Sequence, residues 1–193
     1  MSGTSFFPSK NLGAYGDGGA IMTNDEALAN QLRMVANHGQ SKRYYHEVVG
    51  CNSRLDTIQA AILEIKLRYL DEYIAARQKV ADYYDAAFAS HSKITTPYRA
   101  PYSKHVFHQY TLVLDGVDRD GLNAHLAGLG IPSMIYYPVP AHRQKMFESF
   151  GSDSADLPVT DWLTERVISL PVHTEMDEEQ LQLITKSVIE FIG

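Results

Sequence analysis

From Ser53 to about Phe88 the chain runs without a proline or a glycine. No other stretch constrains the fold as much. Ile58, Ile62, Ile65, Tyr69 and Tyr73 recur at three- and four-residue intervals, the spacing that lines one face of a helix. Ser53 and Asp56 sit where such a helix opens. A helical run of this length outlasts one small core, so it is expected to leave one core and enter another. A domain junction is therefore expected within it, near Leu70, separating residues 1–70 from 71–193.

On the N-terminal side the first 23 residues are rich in glycine. Thr4 to Phe7 reads as a short strand, residues 8–19 as a turn-rich loop, and Ala20 to Thr23 as a second strand. A helix follows. Thr23 and Glu26 have capping-box spacing, Leu28, Leu32 and Val35 share a face, and Gly39 lies past the end. Residues 40–52, QSKRYYHEVVGCN, read as a polar, basic and aromatic loop. The C-terminal side predicts a compact α+β unit. It has a strand over Phe107 to Leu114, a helix from Asp118 to Gly130, and a strand over Ile131 to Tyr137 stopped by Pro138 and Pro140. A helix from Pro158, a short strand over Ser169 to Val172 and an amphipathic helix over Asp177 to Ile192 complete it.

Composition narrows the function. With 193 residues, 45% of them apolar, the chain can bury one or two cores. A net charge of -6 argues against broad binding along a nucleic-acid backbone, though not against a local basic pocket for one phosphate-bearing ligand. No apolar run approaches the roughly 20 residues that cross a bilayer. The opening MSGTSFFPSK lacks the charged and apolar regions of a signal peptide. Cys51 is the single cysteine, so neither an internal disulfide nor a cysteine zinc site is expected. His105 and His108 have no carboxylate or thiol spaced to complete a metal site. A soluble cytoplasmic protein is expected, with no metal and with neither membrane nor nucleic acid as a partner.

Lys10 lies in a Pro-Ser-Lys-Asn loop directly after an apolar strand and before a glycine cluster. A lysine is nucleophilic only when neutral, which burial or a neighbouring positive charge favours. Taken alone, a lysine reads as a solvated surface group. Ser5, five residues earlier, is either an ordinary strand serine or a hydroxyl positioned to donate to a phosphate near Lys10. Gly16, Gly18 and Gly19 permit a tight turn. Neither Gly-Lys-Ser/Thr nor G-x-G-x-x-G occurs. Asn52 and Arg54, read from their position alone, open the long helix. Tyr136 and Tyr137 read as strand-end packing or as polar contacts for a ligand.

The segment SFFPSKNLGAYGDGGAIMTND resembles the lysine segment of the DegT/DnrJ/StrS family of nucleotide-sugar aminotransferases. VGCNSRLDTIQAAIL is similar to that family's second signature, G-x-N-x-R followed by a long helix. GIPSMIYYPVPAHRQ resembles the third, usually I-H-Y-P-x-P-x-H. The motifs follow in order and reach most of the chain.

This resemblance implies an α/β fold of the fold-type I pyridoxal-phosphate (PLP) transferases, like aspartate aminotransferase. Residues 1–70 would close the PLP-binding large domain, and 71–193 would form the α+β small domain. It implies Lys10 as the Schiff-base lysine and Ser5 as a ligand of the cofactor phosphate. Asn52 would reach the phosphate of the neighbouring subunit's cofactor in a homodimer, and Arg54 would face the sugar across the interface. Tyr136 and Tyr137 would face substrate. Tyr136 stands where the family has histidine, and its phenol does not titrate near neutral pH. His142 matches the motif's later histidine.

The implied reaction moves an amino group from glutamate to a nucleotide-linked keto-sugar, in cell-surface polysaccharide or related sugar biosynthesis. The likeness is greatest to transaminases for UDP-acetamido-3-keto-uronates. Members of the family are about twice this long. The remainder would carry a Gly-Thr phosphate-binding segment, an aromatic that stacks on the pyridine ring and an aspartate for its nitrogen. An expectation from another class is a folded but inactive small-domain module, or a partner-binding scaffold. In that case the strands within residues 4–23 would have unpaired edges.

Overall fold

The computed structural model describes residues 1–193, with side chains at every position but 153. The chain divides into two units, Met1–Glu72 and Tyr73–Gly193.

In the first unit, β1 (Ser2–Ser5) and β2 (Gly19–Met22) pair antiparallel, from Ser2 opposite Met22 to Ser5 opposite Gly19. The connecting loop folds back on β1. Phe6 N donates to Gly18 O at 2.8 Å and Ala14 N to Phe6 O at 2.8 Å. Helix α1 spans Glu26–Ala36. Its cap is Asp25, whose Oδ1 accepts from Leu28 N at 3.0 Å, while Thr23 Oγ1 accepts from Asp25 N at 3.1 Å. The capping box expected from Thr23 does not form, and a simple side-chain cap two residues on, at Asp25, replaces it. A carboxylate at the positive end of the helix dipole is a better partner for the first amides than a hydroxyl. Past the Asn37 cap, His38 (φ +59°) and Gly39 (φ +73°) both turn left-handed, and the Gly39 N–H donates to Met34 O at 2.8 Å.

The loop expected over 40–52 contains a small hairpin, β3 (Gln40–Lys42) against β4 (Tyr45–His46). Strands this short carry no readable alternation. The single long helix expected from the periodicity is two, α2 (Thr57–Leu67) and α3 (Leu70–Phe88). Between them Arg68 N reaches Ile65 O at 3.2 Å and Tyr69 N reaches Lys66 O at 3.1 Å, the tighter three-residue bonding of a 3-10 turn. No proline or glycine marks that break.

The second unit builds a three-stranded antiparallel sheet in the order β5 (Ile94–Thr95), β6 (Tyr110–Leu114), β7 (Val167–Leu170). Its helices are α4 (Arg119–Gly128), α5 (Pro158–Thr164) and α6 (Glu178–Ile192), besides most of α3. Val80, Tyr84 and Phe88 from α3, Leu122 and Leu126 from α4, and Leu181, Ile184, Val188 and Ile192 from α6 share one core with the buried β6 residues Tyr110, Leu112 and Leu114. Three- and four-residue spacing puts each helical set on one face.

Two tyrosines enter this core with their hydroxyls paired. Tyr84 donates to Pro171 O at 2.8 Å and Tyr110 to Asp85 Oδ1 at 2.6 Å. Burial pushes both phenols up, and Asp85 adds to the effect at Tyr110. The strand expected over Ile131 to Tyr137 reduces to one bridge, Met134 with Ser169. Pro132, Pro138 and Pro140 have no N–H with which to extend a ladder.

Candidate active site

Lys10 follows β1 by one tight turn, its backbone N–H donating to Phe7 O at 2.9 Å, and its side chain is half-buried. The loop that carries it is nearly a closed ring. A Cβ built on Gly13 would lie 2.4 Å from Pro8 O and 2.9 Å from Phe7 O, so the backbone returns onto itself within a few residues of Lys10. Only glycine permits that approach. Ala14, next in sequence, is buried.

Ser5 ends β1 and lines a cavity of about 690 Å³ together with Gly19, Ala20, Arg33 and Ser53. Its Oγ accepts from Phe7 N at 3.2 Å. This bond fixes the oxygen and leaves the hydroxyl proton for a ligand. Asn52 is held by a bridge to Asn37 at the end of α1. It lines a smaller cavity of about 360 Å³ with Asp17, Gly18, Gly19, Ser53, Arg54 and Leu55. Arg54 Nε donates to Asn52 Oδ1 at 3.2 Å, which turns the amide's oxygen inward to the guanidinium and leaves its Nδ2 donors. The two cavities share Gly19 and Ser53. The structure therefore brings Ser5, Asn52 and Arg54 to adjoining hollows. Lys10 lines neither of these two.

The segment carrying Asn52 is placed by a close backbone crossing. Cys51 N donates to Val35 O at 2.8 Å, His38 N to Cys51 O at 2.9 Å and Ser53 N to Ala36 O at 2.9 Å. A Cβ on Gly50 would lie 2.2 Å from Gly39 N, so the two glycines meet where α1 ends.

Tyr136 and Tyr137 lie in the second unit. With Pro138, Gln144, Met146 and Thr160 they line a cavity of about 480 Å³. His142 is buried beside this segment, 3.6 Å through Nε2 from Asp161 Oδ1. Arg143 grips the same carboxylate with Nε at 3.0 Å and Nη2 at 2.5 Å. That hydrogen-bonded guanidinium holds the Asp161 carboxyl below the usual carboxylate range. Asp161 has no counterpart in the motif reading.

Two further residues act on the Lys10 loop from α2. Gln59 Oε1 accepts from Tyr15 N at 2.8 Å, and Lys66 Nζ donates to Gly13 O while lying 5.6 Å from the Tyr15 ring centre. Nothing in the local sequence singles them out. Their spacing of two helical turns, on one face, is the only signal. Among the described residues, no three His, Cys, Asp or Glu side chains converge as a metal site, and no helix is long and apolar enough to cross a membrane.

Comparison with known proteins bears on this arrangement. The chain is 44% identical over 189 residues to a pleiotropic regulatory protein of Geobacillus stearothermophilus, covering 97% of this chain and 50% of the relative. It is 46% identical over 181 residues to the UDP-2-acetamido-2-deoxy-3-oxo-D-glucuronate aminotransferase of Pseudomonas aeruginosa, covering 94% and 49%. The crystal structure of S. venezuelae DesV in complex with a ketimine intermediate superimposes with a TM-score of 0.90 at 37% identity, over 97% of this chain and 50% of that one. A DegT DnrJ EryC1 StrS aminotransferase from Brucella abortus gives 0.88 at 38% identity, over 99% and 50%. The chain thus spans about half the length of the curated relatives it matches, and its α/β fold is that of fold-type I aminotransferases. The DegT/DnrJ/EryC1/StrS aminotransferase profile matches residues 1–189, and by that match and these identities the chain belongs to this family.

Proposed function

We propose that this chain supplies the lysine-bearing part of a PLP-dependent aminotransferase that carries an amino group from glutamate to a nucleotide-linked keto-sugar. The observation that carries the reading is a set of unspent donors. Ser5 Oγ–H and Asn52 Nδ2 open on adjoining cavities in the unit where Lys10 leaves β1 in a self-closing loop. A phosphate suits each of those donors, that of this chain's own cofactor at Ser5 and that of the neighbouring subunit's at Asn52. The cofactor, when bound, supplies the electron sink that lets a proton leave carbon.

The protein supplies the rest. Lys10 Nζ would hold the cofactor covalently, and its amine would take and return the proton at the substrate carbon. Ser5 would hold the phosphate of this chain's own cofactor, and Asn52 that of the neighbouring subunit's, while the covalent partner changes. Arg54, fixed by its bond to Asn52, presents its remaining N–H groups to an anionic substrate group. Tyr136 and Tyr137 offer hydroxyls to the sugar.

A homodimer with shared sites fits the exposed apolar residues of the first unit. Val49 is 98% exposed and Ile58 75%, and Ala14 and Leu63 are the buried apolar side chains there among the described residues. Relatives of the chain are aminotransferases of UDP- and dTDP-linked sugars. The 46% identity to the P. aeruginosa enzyme favours a UDP-linked 3-oxo sugar for this one. The test offers glutamate, PLP and UDP- or dTDP-linked 3-oxo sugars to the protein as its cell makes it. Formation of 2-oxoglutarate with an amino-sugar nucleotide is expected. Amination of small keto acids alone overturns the substrate assignment.

A further inference from the structure

Lys10 is held by contacts on both sides of its loop. On the entering side Lys10 N bonds Phe7 O at 2.9 Å and Ala14 N bonds Phe6 O at 2.8 Å. On the leaving side the contacts come from α2, more than forty residues on in sequence. Gln59 takes the Tyr15 N–H at 2.8 Å. Its amide also sits where a Cβ on Gly16 would come within 3.2 Å, so the loop lies directly on it. Lys66 is half-buried and commits its ammonium to the Gly13 carbonyl, with the Tyr15 ring 5.6 Å away.

A lysine on a helix surface ordinarily keeps its flexible head in water. Ordering it onto one backbone carbonyl costs side-chain entropy, and the charge-assisted bond offsets that cost. The carbonyl chosen is the one at which the ring closes against Pro8, three residues past Lys10. Releasing it frees the Lys10 loop at its crossing point.

We propose that Lys66, assisted by Gln59, is a positioning residue: its ammonium clamps the Gly13 carbonyl and so fixes the Lys10 loop in the conformation that reacts with PLP. This rests on Lys10 as the cofactor lysine. It adds a residue that touches neither cofactor nor substrate.

The test compares wild type, Lys66→Met, Lys66→Arg and Gln59→Met. Amide hydrogen exchange is followed at Lys10, Ala14 and Tyr15. PLP is then added, borohydride fixes any bond to lysine as a secondary amine, and peptide mass spectrometry reads the fraction at Lys10. In Lys66→Met the loop amides exchange faster while those of α2 keep their wild-type rates, and trapping at Lys10 falls about tenfold, as the loss of one charge-assisted bond implies. Lys66→Arg restores both, because a guanidinium also donates to Gly13 O. Gln59→Met shows the same change with a smaller amplitude.

Wild-type exchange or wild-type trapping in a folded Lys66→Met overturns the inference. So does equal impairment in Lys66→Arg, which would mean that packing rather than the donated bond matters. Exchange reports on the clamp without any cofactor, so a clamp that fails there fails alone. Absence of Lys10 trapping in wild type overturns the proposed function and the positioning role together.

Discussion

Gly50→Ala tests how the Asn52 segment is built. The new Cβ would lie 2.2 Å from Gly39 N, 2.5 Å from Val35 O and 2.8 Å from His38 C. All three are backbone atoms, so no side chain can swing aside. Ordinary contact is 3.4–4 Å, and the 50–53 segment must retreat by about 1 Å to reach it. That retreat stretches the bonds Cys51 N to Val35 O, His38 N to Cys51 O and Ser53 N to Ala36 O, now 2.8, 2.9 and 2.9 Å. At about 0.5–1.5 kcal/mol for each bond, the loss totals roughly 1.5–4.5 kcal/mol. Urea unfolding followed by circular dichroism measures it as an earlier transition of the first unit. Amide exchange at Cys51 and Ser53 should rise in parallel, and the donors of Asn52 should lose their place. Gly3→Ala is the control, since a Cβ there meets nothing within 4 Å. A Gly50→Ala protein within about 0.5 kcal/mol of wild type, with unchanged exchange at 51 and 53, refutes the crossing as described.

Three further outcomes follow from the second unit. Tyr84→Phe removes the donor to Pro171 O and should cost about 1–3 kcal/mol in urea unfolding, because the carbonyl keeps its place without a partner. Gly128→Ala lies in α4 where a Cβ meets nothing, so it should stabilise that unit by about 0.5–1 kcal/mol in thermal unfolding. Asp161 is held below the usual carboxylate range by Arg143, so its contribution is complete above that range and lost as pH falls through its lowered value. The stability gap between wild type and Asp161→Asn should therefore close on acidification below about pH 4, and a gap constant down to about pH 2 contradicts the pairing.

Where the sequence was legible, one physical signal dominated. Gly39 marked the end of α1, and its N–H closes the bond back to Met34, although the first left-handed residue past the cap is His38, which the sequence did not single out. Asp177 and Gln180 form a full capping box at α6, and its face of Leu181, Ile184 and Val188 is unbroken. Legibility failed where competing contacts decide. The break at Arg68–Tyr69 comes with three-residue hydrogen bonds that no breaker residue encodes. The cap at Asp25 wins over Thr23 through charge, which spacing alone does not weigh. The strand expected over 131–137 shrank to the Met134–Ser169 bridge, with Pro132 removing one donor at its start.

The candidate site divides in the same way. The motifs single out Ser5, Asn52 and Arg54, and these residues line adjoining cavities; their roles are those proposed above. Gln59 and Lys66 were not readable, because their partners are backbone atoms more than forty positions away. A helix face of mixed polarity gives no hint of which loop it supports.

The most direct measurement adds PLP to the 193-residue chain, reduces with borohydride and maps the modified peptides by mass spectrometry. The account predicts that the phosphopyridoxyl group is found on Lys10 in preference to the other lysines, and that Lys10→Ala lowers total labelling to the level of the surface lysines while leaving circular dichroism unchanged. Labelling spread evenly over surface lysines, or labelling at wild-type level in Lys10→Ala, contradicts it.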